Sequence, residues 1–266
     1  MENFHHFSPK WLDIAVDAAY EAGKVLKKYW GNLKEINHKS SSSDLVTEAD
    51  KKSEQIILKI LAKNFPGHRI LAEESGLNNQ ISDFIWMVDP LDGTTNYTHQ
   101  YPMVAVSIGL LYRQHSILGV IYNPIIEELF TGVKGLGAKL NGFPIHVSQV
   151  SSLNKSLLAT GFSYDRSIRN DNNYVEFCHL TNLTQGVRRG GAAALDLAYV
   201  ACGRLDGYWE LGLKAWDIAA GAIIVSEAGG EVTDYDLSPL DFYSGRVLAS
   251  NSHLHKIMSE KLFFKT

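Results

Sequence analysis

Apolar side chains recur at helical spacing early in the chain. Trp11, Leu12, Ala15, Ala18, Ala19, Ala22, Val25, Leu26 and Tyr29 share one face of a 3.6-residue repeat. Ser8 and Pro9 read as an N-cap followed by proline at the first helical position, and Gly31 as the stop. The polar stretch 39–44 is a mobile loop by composition. Thr47 and Asp50 then have capping-box spacing, and Ile56, Ile57, Ile60 and Leu61 form the apolar stripe of a second helix.

The period then changes. Trp86-Met87-Val88 is a short apolar strand, expected to stop at Asp89-Pro90. Residues 104–112, 117–122 and 129–133 read as strands of an antiparallel meander, and Asn141-Gly142 as a tight turn. Residues 192–201 form a helix with Gly203 as its C-cap. Residues 216–228 form another, closed by Gly229-Gly230. Segments 231–233 and 246–249 are further strands, and 253–264 a terminal helix. There is no repeat and no long linker. Helices and strands interleave without a βαβαβ rhythm, which predicts a layered α+β fold. We expect one domain over residues 1–266, with room for a sub-division near 140–150.

Composition narrows the class. With 45% hydrophobic and 20% charged residues, the chain has the profile of an ordinary soluble globular protein. A net charge of -4 gives no global basic field for nucleic acid. Cys178 and Cys202 are the only cysteines and form no CxxC pair, which points to a reducing compartment. Residues 1–10 lack the apolar run of a signal peptide, and nowhere is there an apolar run long enough for a membrane helix. The expectation is a cytoplasmic protein with no membrane association.

The densest chemistry is Trp86-Met87-Val88-Asp89-Pro90-Leu91-Asp92-Gly93-Thr94-Thr95-Asn96. Two carboxylates lie three apart at a strand end, Pro90 stiffens the turn, and Gly93 lets backbone approach a ligand. Mg²⁺ prefers such hard oxygen ligands, completed by water and substrate phosphate. Backbone N–H groups at Gly93 and Thr94 are suited to a phosphate. Asp-Pro and Asp-Gly alone are ordinary turn dipeptides; the whole string is not. In Leu71-Ala72-Glu73-Glu74-Ser75 an acidic pair follows an apolar strand, which brings Glu73 beside Asp89 unless the pair is a solvated loop. Asp217 stands in the first turn of a small-residue helix, as a cap or as a metal ligand. Glu210 just before it either faces a substrate or is an exposed strand-end charge. Arg188-Arg189-Gly190-Gly191-Ala192-Ala193-Ala194 leads into a helix N-terminus, a place for anions or hydroxyls or simply an entry loop. The glycines of 134–138 belong to a hairpin loop. Ten histidines without an HExxH or His-x-His pattern argue against zinc.

Asp89-Pro90-Leu91-Asp92-Gly93-Thr94-Thr95-Asn96 resembles the first signature of the inositol monophosphatases. Trp216-Asp217-Ile218-Ala219-Ala220-Gly221, continuing to Glu227-Ala228-Gly229-Gly230, resembles their second. Asp44-Leu45-Val46-Thr47-Glu48-Ala49-Asp50 and Ala72-Glu73-Glu74-Ser75 are similar to two upstream motifs, in family order. Ala193-Ala194-Leu195-Asp196-Leu197-Ala198-Tyr199-Val200 is closest to the bacterial branch. The resemblance implies a layered αβαβα sandwich of the inositol monophosphatase and fructose bisphosphatase type. It also implies a homodimer, lithium sensitivity, and two or three Mg²⁺ ions per site.

The resemblance further implies that Glu73, Asp89 and the Leu91 carbonyl hold one ion, and Asp89, Asp92 and Asp217 another. Glu73 and Thr94 would position the attacking water, supported by Asp50 and Thr47. Gly93 and Thr94 would bind phosphate. Asp92, Ala193 and Glu210 would contact the sugar or inositol hydroxyls, and Gly191, Ala192 and Asp217 would also bind substrate. Two positions depart from the family pattern: Ala72 stands where glycine is usual, and Ala192 where many members have Ser or Thr.

The activity so implied is Mg²⁺-dependent hydrolysis of myo-inositol 1-phosphate by a water, without a phosphoenzyme. Histidinol, sugar or nucleotide phosphates are alternative substrates. Aspartyl-nucleophile phosphatases, a rival class, space their paired aspartates two apart, not three. Some bacterial relatives also associate with the transcription machinery, so an interaction role with RNA polymerase or nucleic acid is a second expectation.

Overall fold

The computed structural model describes residues 10–38 and 45–263. The Ser8–Pro9 cap, the 39–44 loop with Asp44, and the last residue of the expected terminal helix lie outside the described residues. The chain opens with α1 (Lys10–Tyr29), a ribbon of β1 (Ile36–His38) and β2 (Leu45–Thr47), and α2 (Glu48–Asn64). A sheet follows, made of β3 (Arg69–Ala72), β4 (Gly76–Leu77), β5 (Phe84–Asp92), β6 (Ala105–Tyr112), β7 (His115–Asn123), β8 (Glu128–Val133), β9 (Gly137–Leu140) and β10 (Phe143–Pro144). The short α3 (Thr94–Thr98) interrupts it between β5 and β6. The second sheet contains β11 (Leu157–Thr160), β12 (Gly186–Arg188), β13 (Gly207–Leu211), β14 (Gly230–Thr233) and β15 (Arg246–Asn251). Its accompanying helices are α4 (Tyr174–Thr181), α5 (Ala193–Ala201), α6 (Ala215–Glu227) and α7 (His255–Leu262).

The first sheet has the order β10-β9-β8-β7-β6-β5-β3-β4 and is antiparallel except where β3 runs parallel to β5. The second has the order β12-β11-β13-β15-β14. Three apolar cores separate five layers. Ala15, Ala22 and Ile57 of α1 and α2 pack on Trp86, Val106 and Val120 of the first sheet. Its other face meets α5 and α6, which in turn meet Tyr208 and Val247 of the second sheet. Leu180 of α4 and Met258 of α7 cover the far face of that sheet at Trp209 and Leu248. The result is the αβαβα sandwich.

Several expectations hold in detail. The Thr47–Asp50 capping box is formed, the meander is antiparallel, and Asn141 and Gly142 turn the chain with positive φ. The Glu227 carboxylate accepts from the N–H groups of Gly135 and Gly137 at 2.9 Å, so that glycine-rich stretch is a hairpin loop. Two expectations are corrected. β5 does not stop at Asp89-Pro90 but continues to Asp92. Asp89 pairs with Ser107 and Asp92 with Ala105, so β5 has one residue too many there. This bulge takes Pro90, which has no N–H to donate, out of the ladder. In α2 the buried line runs Ala49, Asp50, Ser53, Glu54, Ile57 and Leu61, whereas Ile56 and Ile60 are only half-buried. Polar residues thus occupy the inner face where α2 meets the end of β5.

The close approach of α6 to the first sheet depends on a row of glycines. Gly109, Gly119 and Gly132 are register partners on β6, β7 and β8. A Cβ on Gly119 would stand 2.3 Å from the Ala220 carbonyl oxygen, and one on Gly132 2.9 Å from the Ile224 Cα. The stripe without side chains lets the helix backbone lie on the sheet, and so sets where the first turn of α6 points.

Candidate active site

The parallel pairing of β3 with β5 puts Ala72 opposite Val88, and the Glu73 N–H then donates to the Val88 carbonyl at 3.1 Å. Glu73 therefore leaves its strand beside Asp89, and the two carboxyl groups share a hydrogen bond. The bulge turns Asp92 the other way. Its Oδ2 accepts from the Ala194 N–H at 2.7 Å, and the Ala193 N–H also points to it. The N-cap of α5 is Ala192, whose side chain cannot cap; Asp92, 102 residues before Ala194, performs that task. Asp217 caps its own helix by accepting from the Lys214 N–H at 2.7 Å. Alternation along β13 puts Tyr208 and Glu210 on the inner face, where the Tyr208 hydroxyl donates to Glu210 Oε2 at 2.5 Å. Glu210 is 9% exposed, so the reading of it as an exposed strand-end charge is overturned.

These groups line one pocket of ≈ 110 Å³. Glu73, Asp89, Leu91, Asp92, Gly93, Thr94, Gly191, Ala192, Ala193, Glu210 and Asp217, all expected from the sequence, are on its wall. Thr47 and Asp50 are not; they stand behind it. Asp50 accepts from the Thr47 N–H at 2.8 Å and bonds the Thr47 hydroxyl, while its other oxygen lies 2.9 Å from the Thr94 hydroxyl. The Thr94 hydroxyl is also 3.1 Å from the Leu91 carbonyl. Gly93 is required here: its φ is +89°, and a Cβ would meet the Met103 carbonyl at 2.7 Å. The first N–H groups of α3 beside it have no carbonyl partner within the helix.

Sequence reasoning missed two sets of residues. Ser53 donates to the Pro90 carbonyl at 2.8 Å, and Glu54 accepts from the Glu74 N–H at 2.8 Å, so α2 holds both acidic loops from behind. Their signal was spacing, because 50, 53, 54, 57 and 61 share one helix face. Gly161, Phe162, Ser163 and Tyr164 also line the pocket, as does Arg189 of the loop expected to suit anions or hydroxyls. The residues 161–164 carry no local pattern that could have announced them.

Crowding raises the carboxyl pKa values. Burial pushes Asp89 well above the usual range, reinforced by the charges of Glu73, Asp92 and Asp217. Burial lifts Asp92 to about 7 against the opposing Ala194 hydrogen bond, and Glu210 to about 7 against that of Tyr208. Asp217 keeps part of its residue surface exposed, yet its carboxyl is deep enough for burial, then Asp92, to push it well up. Burial lifts Asp50 to about 6. Among the described residues no three His, Cys, Asp or Glu side chains form a closed metal cage. The donor set nevertheless fits a hard divalent cation: carboxylates and a carbonyl, with no thiolate or imidazole, and uncompensated negative charge that a cation would relieve.

Residues 9–263 match the model of the inositol monophosphatase family. The inositol-1-monophosphatase of Synechocystis sp. is 55% identical, over 96% of this chain and 91% of the relative. The Nus factor SuhB of Pseudomonas aeruginosa is 43% identical over 93% of each. A solved inositol monophosphatase from Anabaena (Nostoc) sp. superposes with a TM-score of 0.88 at 55% identity, over 95% of both chains. With a matching family model over nearly its whole length and the same five-layered architecture, this chain belongs to the inositol monophosphatase family.

Proposed function

We propose that this phosphoric monoester hydrolase acts on myo-inositol 1-phosphate, releasing inositol and inorganic phosphate, with Mg²⁺ as its metal. The observation that carries the reading is the convergence of Glu73, Asp89, Asp92, Glu210 and Asp217 on one small pocket beside the N–H groups at the start of α3. Metal dependence comes with family membership. When bound, Mg²⁺ would offset the carboxylate charge and polarise the phosphoryl group and a water. Glu73, Asp89, Asp92, Asp217 and the Leu91 carbonyl would hold it.

The chain's own residues do the rest. Thr94, oriented by Asp50 and Thr47, accepts a hydrogen bond from the attacking water, and Glu73 takes up its proton. Gly93 and Thr94 N–H groups hold the phosphoryl oxygens. The water oxygen forms the new bond to phosphorus as the ester P–O bond breaks, and the leaving alkoxide takes a proton from solvent to become the alcohol while Glu73 returns its own to solvent. Glu210, with Asp92 and Ala193, meets the hydroxyls of the leaving polyol.

Phosphate release from a panel of monoesters, with and without Mg²⁺, tests this. Mg²⁺-dependent release from inositol 1-phosphate supports it. Release only from histidinol, sugar or nucleotide phosphates replaces the substrate. The proposal includes one folding unit and a homodimer, checked by the cooperativity of unfolding and by light scattering. The relative called a Nus factor suggests a second role in transcription. Binding of purified RNA polymerase to the Asp89→Asn variant tests that role apart from catalysis.

A further inference from the structure

Glu210 is seated between two neighbours that take no part in the hydrolytic step. On one side the Tyr208 hydroxyl donates to its Oε2 at 2.5 Å. The Tyr208 ring is fully buried in the core shared by α5, α6 and the second sheet, so the hydroxyl has one place to be. The charged groups that bear most on it are the carboxyls of Glu210, Asp196 and Asp92. Beside them the phenol keeps its proton and serves as a donor.

On the other side is Gly161. A Cβ there would stand 1.9 Å from Glu210 Oε2, 2.2 Å from Cδ and 2.3 Å from Oε1, so the carboxylate lies flat against backbone. That backbone is tied down. The Gly161 carbonyl accepts from Asn173 at 2.7 Å, and Asn173 accepts in turn from the Trp209 indole N–H at 2.7 Å. Thr160, the register partner of Trp209, donates to the Trp209 carbonyl at 2.5 Å. The end of β11 is thus fastened to β13 beside Glu210.

A glutamate has three rotatable bonds, and ordering them on binding would weaken any contact it makes. Here the ordering is complete before a substrate arrives. With Oε2 taken by Tyr208, Oε1 remains for a hydroxyl of the leaving group. We infer that Tyr208 is the positioning residue that makes Glu210 a reader of hydroxyl groups: it fixes Oε2, leaves Oε1 to the pocket, and so sets a preference for polyol esters over esters whose leaving group carries no further hydroxyl. An ester lacking that hydroxyl leaves a buried acceptor unmatched, which is the larger part of such discrimination. The inference rests on the acidic pocket being the hydrolytic centre and on Glu210 meeting the leaving group.

The test compares kcat/KM for inositol 1-phosphate and for phenyl phosphate in wild type, Tyr208→Phe, Glu210→Ala and the double variant. Tyr208→Phe keeps the buried ring and removes only the donor. The ratio of the two values should fall about tenfold, through a higher KM for inositol 1-phosphate with little change in its kcat. Because Tyr208 acts through Glu210, Tyr208→Phe should change the ratio no further once Glu210→Ala is present. Gly161→Ala, which dislodges the carboxylate from its other side and leaves Tyr208 intact, should lower the same ratio and serves as the second variant if Tyr208→Phe does not fold. A ratio unmoved by Tyr208→Phe, an equal loss on both esters, or the same fall with and without Glu210 would overturn the inference. The wild-type ratio separates the two readings: a wild type that does not prefer inositol 1-phosphate removes the polyol reading and the inference together, whereas a preference that survives Tyr208→Phe removes the inference alone.

Discussion

The Thr94 hydroxyl stands 2.9 Å from Asp50 Oδ1, a contact across 44 residues that ties the first turn of α2 to the start of α3. Asp50 in turn is held by the backbone N–H and the hydroxyl of Thr47, so a helix cap doubles as the support of an active-site hydroxyl. Thr94→Ala should lower kcat by about 10²-fold or more, the range for a positioned group at the reacting atoms. Thr47→Ala should act mainly on stability, costing about 1 kcal/mol as a lost N-cap, with a smaller fall in kcat. Steady-state kinetics beside thermal melts separate the two. Equal loss of activity in both variants would mean that the cap, not the hydroxyl, is what matters.

Asp89 is ringed by other carboxylates, with Glu73, Asp92 and Asp217 all raising its pKa after burial itself. Asp89→Asn removes one charge from that cluster while keeping its shape and the acceptor for the Leu91 N–H at 2.9 Å. The metal-free variant should melt at the same temperature as wild type or higher, because a buried repulsion is gone. Turnover should be nearly abolished. A folded Asp89→Asn protein with normal turnover would refute its role.

How much of this was readable in the chain follows from what each residue depends on. The Asp89-to-Asn96 string and the Asp217 cap are local, and their chemistry shows in spacing alone. The first helix, the meander and the turn at Asn141 are local as well. Glu210 is different: only the packing of β13 against α5 and α6 decides that it faces inward. The continuation of β5 past Pro90 depends on β6, which absorbs the bulge by pairing on both sides of it. Ser53 and Glu54 did leave a trace, as polar residues on an apolar helix face. Phe162, Ser163 and Tyr164 left none, because they reach the pocket through a loop held by a distant residue. Asn173 donates to the Gly161 carbonyl and the Thr160 hydroxyl at 2.7 Å, and accepts from Trp209 Nε1 at 2.7 Å.

The raised carboxyl pKa values give a pH dependence to the metal-free protein. Folded, Asp92 and Glu210 titrate at about 7, and burial pushes Asp89 and Asp217 well above the usual carboxylate range; unfolded, all would titrate near 4. Between those values the folded state binds more protons than the unfolded one, so stability falls as pH rises. His255, drawn down to about 4 by burial, and His68, also lowered, work in the opposite direction, but only below about 6.5. The window from pH 6.5 to 8 therefore isolates the carboxylates. Without metal the melting temperature should fall across it. Millimolar Mg²⁺ should raise it more at pH 8 than at pH 6.5, since ligands must lose protons to bind. A metal-free melting temperature that climbs over this window would contradict the buried acidic cluster.

The glycine row beneath α6 links stability to the site. A Cβ on Gly119 would meet the Ala220 carbonyl oxygen at 2.3 Å and Ile223 Cγ2 at 2.8 Å, and a helix backbone cannot yield as a flexible side chain would. Gly119→Ala should cost about 1–3 kcal/mol as overpacking, or several degrees of melting temperature. Gly67→Ala, with nothing within 4 Å of the added carbon, is the control and should change stability by less than about 0.5 kcal/mol. Because α6 carries Asp217 in its first turn, a helix lifted from the sheet also carries that carboxylate away from Asp92. Gly119→Ala should accordingly need a higher Mg²⁺ concentration for half-maximal activity, measured well below its melting temperature. A variant that loses stability but keeps the wild-type Mg²⁺ dependence would show that the helix adjusts elsewhere, with Asp217 left in place.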